Sequence, residues 1–198
     1  MGMEINENAA LVVVDVQKGF ELDYWGRRNN PEAEGNIAAL IDVWQGTGRP
    51  VVFVRHDSVQ EGSPLEPGTE GNGFKDFVEA RRGKASGPEL LVAKSVNSAF
   101  YGEPDLDAWL KGAGIEQIVI VGIQTNMCNE TTARMGGNLG YEVLFPLDAM
   151  HTFDLEGPFG WTQTAEELTR ATAVSLHGGR FARVVATEDV VKGAVSAG

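Results

Sequence analysis

Leu11-Val12-Val13-Val14-Asp15-Val16-Gln17-Lys18-Gly19-Phe20 is a short run of branched apolar residues that ends abruptly in a carboxylate. A run this short, apolar at every position, suits a strand buried on both faces of a parallel sheet. Open α/β sheets bind ligands beyond the carboxyl ends of their strands, so Asp15 stands where a site would form. The same carboxylate could instead cap the turn that follows. The strand is read as Ala9–Val14, and five further runs share its pattern: Val51–Arg55, Leu90–Ala93, Gln117–Val121, Glu142–Leu147 and Arg183–Ala186.

Helical period fills the gaps between these runs. Ile37, Leu40, Ile41 and Trp44 recur at i, i+3, i+4, i+7, a stripe that packs one helix on a sheet. Leu106, Trp109 and Leu110 repeat it between Pro104-Asp105 and Gly112. Thr132, Met135, Gly136 and Leu139 mark a third helix, and Ala165, Leu168, Thr172 and Leu176 a fourth. Strand and helix in alternation predict a three-layer α/β/α fold around a parallel sheet with right-handed crossovers. Ser58 to Gly87 breaks the alternation as a long Gly- and Pro-rich excursion, with Phe74–Val78 as its one candidate helix. Excursions of that length are commonly functional.

The composition sets the class. Of 198 residues, 42% are apolar and 22% charged, as in a packed globular protein, and the length suits one domain over 1–198. Sixteen basic against 28 acidic residues leave a net charge of −12, which disfavours nucleic acid and anionic lipid as partners. No apolar run reaches the roughly 20 residues of a membrane helix. Glu4 and Glu7 stand where a secretory leader would carry basic residues. With Cys128 as the single cysteine, no intrachain disulfide can form, and a cytoplasmic location is expected. No Walker phosphate loop, G-x-G-x-x-G turn or G-x-S-x-G elbow occurs, and His56, His151 and His177 lack zinc-ligand spacing. No cofactor and no metal are expected.

Two more strand ends carry chemistry. Leu91-Val92-Ala93-Lys94 ends in a lysine, and Ile120-Val121-Gly122-Ile123-Gln124-Thr125-Asn126-Met127-Cys128 leads into the third helix. Each alone has a plain reading: a solvated lysine, a small buried thiol. A cysteine at a helix start is also expected to have its pKa lowered by the free N–H groups and dipole there. Together, Asp15, Lys94 and Cys128 at three strand ends can converge on one crevice as base, electrostatic stabiliser and nucleophile.

At these residues the chain resembles the isochorismatase-like cysteine hydrolases of the isochorismatase/nicotinamidase superfamily. The likeness covers nearly the whole chain: the strand into Asp15, Lys94 with Asn97-Ser98-Ala99-Phe100, Gly122 to Thr132, Gly140-Tyr141-Glu142-Val143 and Leu147-Asp148-Ala149. It implies a six-stranded parallel sheet in the order 3-2-1-4-5-6, with Asp15, Lys94 and Cys128 as catalytic triad. It also implies a non-proline cis peptide at Ile123–Gln124 that aims the Gln124 N–H, with that of Cys128, at a substrate oxyanion. Nicotinamidase-like members hold a metal on an Asp-x-His pattern after the second strand; here Arg55-His56-Asp57-Ser58 departs from it, which puts both metal and nicotinamide in doubt. Isochorismate-cleaving members characteristically lack the cysteine, so Cys128 favours C–N hydrolysis of a small amide, lactam or urea-like molecule through a thioester. Isochorismate hydrolysis, or a non-catalytic binding protein on the same fold, are the alternatives. Candidate substrate contacts are Gln17, Phe20, Trp25, His56, Asn97, Phe100 and Tyr101. His151, Phe153 and Trp161 fall where relatives build part of the site or a subunit contact, and a homo-oligomer, dimer or tetramer, is expected.

Overall fold

Alternate side chains of the first strand enter two different cores, and this division builds the molecule. In the computed structural model, which describes residues 3–196, β1 (Ala10–Val14) is buried at every position. The outermost two residues at each end of the expected 1–198 domain lie outside the described residues. Leu11 and Val13 join Ile37, Leu40, Ile41 and Trp44 of α1 (Ala33–Gly46) and Val190 and Ala194 of α6 (Thr187–Ser196). Ala10, Val12 and Val14 face the other way, onto Leu106 and Leu110 of α3 (Leu106–Gly112), Ala133 of α4 (Glu130–Asn138) and Leu176 of α5 (Ala165–Gly178). Successive strand residues point to opposite faces, so a run apolar at every position needs a helical layer on both sides.

The remaining main strands are β2 (Val51–His56), β3 (Glu89–Lys94), β4 (Gln117–Ile123), β5 (Glu142–Pro146) and, last in the chain, Arg183–Val185. Between these last two run β6 (Met150–His151), β7 (Leu155–Glu156) and β8 (Thr162–Gln163), so that Arg183–Val185 is β9. The sheet order is β3-β2-β1-β4-β5-β9, all parallel, which is the expected 3-2-1-4-5-6 with β9 as the sixth main strand. A seventh, two-residue strand, β6, adds to β4 through Gly122↔Met150 and Ile123↔His151. β7 and β8 form a separate antiparallel hairpin.

Two helices also differ from the expectation. The helix α6 was not read from the sequence; its buried face is only Thr187, Val190, Gly193 and Ala194, too weak a stripe to stand out. The excursion between β2 and β3 holds a 3₁₀ turn at Glu70–Asn72 and α2 (Asp76–Glu79), which starts two residues later than the expected Phe74–Val78. Among the described residues no helix is long and apolar enough to cross a membrane.

The sheet order reverses between β1 and β4, and there the strands part. β1 ends at Val14, while β2 runs on to His56, paired with Lys94, and β4 to Ile123. Gly122 makes the close approach possible. Its φ is +130°, and a Cβ there would lie 2.0 Å from the Val14 carbonyl oxygen.

Candidate active site

Asp15 follows β1 with φ +52°, a left-handed conformation that aspartate tolerates better than branched residues. Its N–H still bonds to the Val54 carbonyl at 2.9 Å, and its own carbonyl accepts from Gln17 N at 2.8 Å. Lys94 closes β3. Cys128 lies in a π-helical turn, Thr125–Asn129, that continues directly into α4. Three elements distant in sequence thus deliver one carboxylate, one ammonium and one thiol to the same point.

The Lys94 ammonium donates to Asp15 Oδ2 at 2.7 Å and to Cys128 Sγ at 3.4 Å, and stands 3.1 Å from His56 Nδ1. The side chains of the Asp15–Lys94 pair are completely buried. Asp15 Oδ1 has no hydrogen-bond partner among the described residues. Burial alone would pull Lys94 down, yet the charge of Asp15 and the hydrogen bond to it hold it above the ordinary lysine value. It is therefore an ammonium at any pH near neutral.

Cys128 departs from the expectation of a lowered pKa. Burial pushes the thiol well above its usual value, the Asp15 charge adds to the rise, and Lys94 only partly opposes them. The dipole of a helix start is weaker than the loss of water and a carboxylate beside the sulfur. At rest Cys128 is a thiol, and its proton has an acceptor close by in Asp15.

A cavity of about 240 Å³ opens onto Cys128. Asp15, His56, Asn97, Gln124 and Cys128 form its polar side; Phe20, Trp25, Leu65 and Met127 form its apolar side. Asn97 sits exposed at the rim, with Oδ1 3.9 Å from Cys128 Sγ. Phe20 and Trp25 pack with their rings tilted by 36° at 4.8 Å, and Phe153 stacks against both at 6.2 and 5.7 Å. Trp25 Nε1 donates to the Gly19 carbonyl, which fixes its ring. The Ile123–Gln124 peptide is cis and enters the cavity floor through Gln124. Thr152, just after β6, donates from Oγ1 to Asn126 Oδ1 at 2.5 Å and lies 3.4 Å from Gln124 Oε1, bracing that turn.

Three candidate substrate contacts lie elsewhere. Phe100 stacks on Tyr141 at 5.8 Å, inside the helical layer, and Tyr101 is 70% exposed. The cause is local: Ser98 caps the turn Ala99–Tyr101, and Ala99 N–H is taken by Thr132 Oγ1 of α4, so the chain turns away from the cavity. Gln17 is fully buried and spends its amide on backbone: Oε1 accepts from His56 N–H, and Nε2 donates to the carbonyls of His56 and Asn72. Conversely, Leu65 and Met127 line the cavity without having been singled out. Met127 could have been found as the neighbour of Cys128; Leu65 comes from the long excursion, tied down through its carbonyl to Asn72.

His151 is fully buried with neither ring nitrogen hydrogen-bonded among the described residues, and burial with the nearby Arg28 charge holds it down at about 3, hence neutral. Trp161 and Phe159 belong to the β7–β8 hairpin and are 66% and 89% exposed. They stand beside a separate groove of about 740 Å³, whose lining includes Trp161 and none of the three converging residues.

Asp15, His56 and Cys128 each offer a donor atom within 4.8 Å of the others, a spacing that a metal ion could use. The Lys94 ammonium, however, reaches all three, at 2.7, 3.1 and 3.4 Å. A divalent cation there would meet a paired lysine at contact distance, so these residues fit an ammonium and not a metal.

Residues 9–189 match the model of the isochorismatase domain. An uncharacterised isochorismatase family protein of Bacillus subtilis, YrdC, is 34% identical over 187 residues, 94% of this chain and 96% of its own. Nicotinamidase 3 of Arabidopsis thaliana is 30% identical, covering 85% of this chain and 80% of its own. A solved structure from Chromobacterium violaceum, assigned to the same family, superposes with TM-score 0.90 at 33% identity over 99% of this chain and 98% of its own. With this sheet order, these strand ends and a match along nearly its whole length, the chain belongs to the isochorismatase family of hydrolases.

Proposed function

We propose that this protein is a cysteine-dependent hydrolase that opens a C–N bond of a small amide, lactam or urea-like molecule through a thioester. The observation that carries the reading is the division of labour within Asp15. One carboxylate oxygen is held by Lys94; the other is buried with no partner among the described residues, in a carboxylate that comes within 4.8 Å of the Cys128 sulfur. A buried carboxylate oxygen left without a donor is costly unless it has work to do. Here it is the acceptor for the thiol proton.

As the proton moves from Sγ to Asp15 Oδ1, the sulfur bonds to the substrate carbonyl carbon and the carbonyl oxygen takes the negative charge. The N–H groups of Gln124 and Cys128 are the proposed donors to that oxyanion. Collapse breaks the C–N bond, and Asp15 passes its proton to the departing nitrogen. Water then gives a proton to Asp15 as its oxygen joins the carbonyl carbon. The C–S bond breaks, the proton returns to sulfur, and a carboxylic acid leaves. Lys94 remains charged throughout and steadies whichever anion is present.

The cavity supports a small, uncharged or cationic substrate. Among the described residues Lys94 is the only cation lining or touching it, and its protons are already engaged; Arg55 is paired with Asp57 at 2.7 Å. A dianion such as isochorismate finds no free partner. Phe20 and Trp25 offer ring faces suited to a flat or cationic group. A relative named as a nicotinamidase is in keeping with an amide bond as the target.

The test is a panel of small amides beside isochorismate, following ammonia or amine release and pyruvate release, with intact-mass spectrometry of the protein. The expected result is nitrogen release, an acyl adduct on Cys128, and loss of both in Cys128→Ala. Pyruvate release that survives Cys128→Ala, with no amide turned over, overturns the reading.

A further inference from the structure

The Lys94 ammonium has three protons. Asp15 Oδ2 and Cys128 Sγ accept two of them, and both acceptors are reaction partners whose charge changes during turnover. The third points at His56 Nδ1, 3.1 Å away. We propose that His56 is a positioning residue: its neutral imidazole accepts that third proton through Nδ1 and keeps Lys94 centred between Asp15 and Cys128 while their charges exchange. The proposal rests on the cysteine-hydrolase reading above, and it assigns His56 a role other than the substrate contact expected from sequence.

Several features hold His56 in place for this duty. Its backbone N–H and carbonyl are both bonded by the fully buried Gln17 amide, at 2.8 and 3.0 Å. The buried Asn72 adds a third bond, from Nδ2 to the His56 carbonyl at 3.0 Å. The pairing His56↔Lys94 is the last step of the β2–β3 register, so both side chains leave the sheet at the same level. Buried amide side chains that serve one residue's backbone make sense where that residue's orientation matters. A lysine is otherwise a flexible point charge on a four-carbon stem.

The tautomer follows. A nitrogen facing an ammonium must present its lone pair, so Nδ1 is bare and Nε2 carries the proton. The groups that face the ring are Lys94 from β3, Asp15 after β1, Cys128 before α4 and Asp57 on its own segment. Burial first, and then the Lys94 charge, hold His56 below the ordinary histidine value, with the two aspartates opposing. It stays neutral near neutral pH.

Two substitutions separate an acceptor from a space-filler. His56→Asn keeps an acceptor near the Nδ1 position but loses volume, and His56→Phe keeps volume but loses the acceptor. Cys128 is the only cysteine in the chain, so its alkylation by iodoacetamide at pH 7 reports the site without any substrate. We expect His56→Asn to stay within about threefold of wild type and His56→Phe to fall about tenfold, a change equal to about two pKa units at the thiol once the greater nucleophilicity of a more basic thiolate is included. With a turned-over amide, His56→Phe should lose kcat about tenfold while KM stays within about threefold, the sign of positioning as opposed to substrate contact.

A third measurement uses the wild type alone. ¹⁵N resonances of its histidines, assigned to residue 56 through His56→Asn, should show the Nε2–H tautomer at pH 7. An Nδ1–H tautomer or an imidazolium there overturns the proposal, as does His56→Phe behaving like wild type, equal losses in both variants, or a change confined to KM. If Cys128→Ala retains turnover, the cysteine-hydrolase reading fails instead, while the alkylation and ¹⁵N results still decide whether His56 anchors Lys94.

Discussion

Asp15→Asn should make Cys128 more reactive and the enzyme dead. The substitution keeps the shape of the side chain and removes one negative charge within 4.8 Å of the sulfur. Unit charges at that separation, with an effective dielectric near 20, interact by about 3.5 kcal/mol, or about 350-fold in the thiol–thiolate equilibrium. That charge is one of the two forces that raise the thiol; Lys94, which opposes it, remains. A less basic thiolate is a slower nucleophile, and a Brønsted coefficient of about 0.45 returns about 14-fold of the gain. The net expectation is alkylation about 25-fold faster than wild type at pH 7. Amide turnover should meanwhile fall by about 10²–10⁴, the usual worth of a general acid–base. The assay is iodoacetamide labelling read by intact mass, beside ammonia release. A variant that alkylates no faster than wild type would falsify the account of the raised thiol, and one that retains turnover refutes Asp15 as the base.

Gly122→Ala places a Cβ 2.0 Å from the Val14 carbonyl at a φ of +130°, and should cost about 3 kcal/mol or more by urea unfolding. Gly35→Ala, exposed inside α1 with nothing within 4 Å, should instead gain up to about 1 kcal/mol; equal effects would contradict the close approach at Gly122. Glu34 is raised by burial but more strongly lowered by Arg28 and Lys75, to about 2. Its stabilisation is present above the ordinary 4.5 and lost as pH falls toward 2, so urea midpoints should drop over that window and drop less in Glu34→Gln. We propose self-association through the β7–β8 hairpin: light scattering should return at least twice the 21.3 kDa chain mass, and a joint Phe159→Ser, Trp161→Ser change should lower it. A wild type at the chain mass rules that out.

Read alone, the sequence determined the architecture because its strands are apolar at every position. Only a sheet covered on both faces can bury Leu11 and Val13 on one side and Val12 and Val14 on the other, and short runs alternating with helical stripes leave few topologies. The sheet order came through the resemblance, which also put the cis peptide at Ile123–Gln124. Asp15, Lys94 and Cys128 were legible because each ends or follows a strand, and strand ends in such a sheet share one edge. What lies around them was not legible. Neighbours in sequence need not share an environment: Asn97 rims the cavity, while Phe100, three residues on, packs under α4 because Thr132 takes the Ala99 N–H. Leu65 reaches the cavity from a loop with no period to read, and Gln17 serves the His56 backbone through bonds 39 residues apart. The state of Cys128 was decided only in three dimensions. Its place at a helix start argues for an acidic thiol, but burial and the Asp15 carboxylate, delivered from the far end of the chain by the β1–β4 pairing, raise it instead.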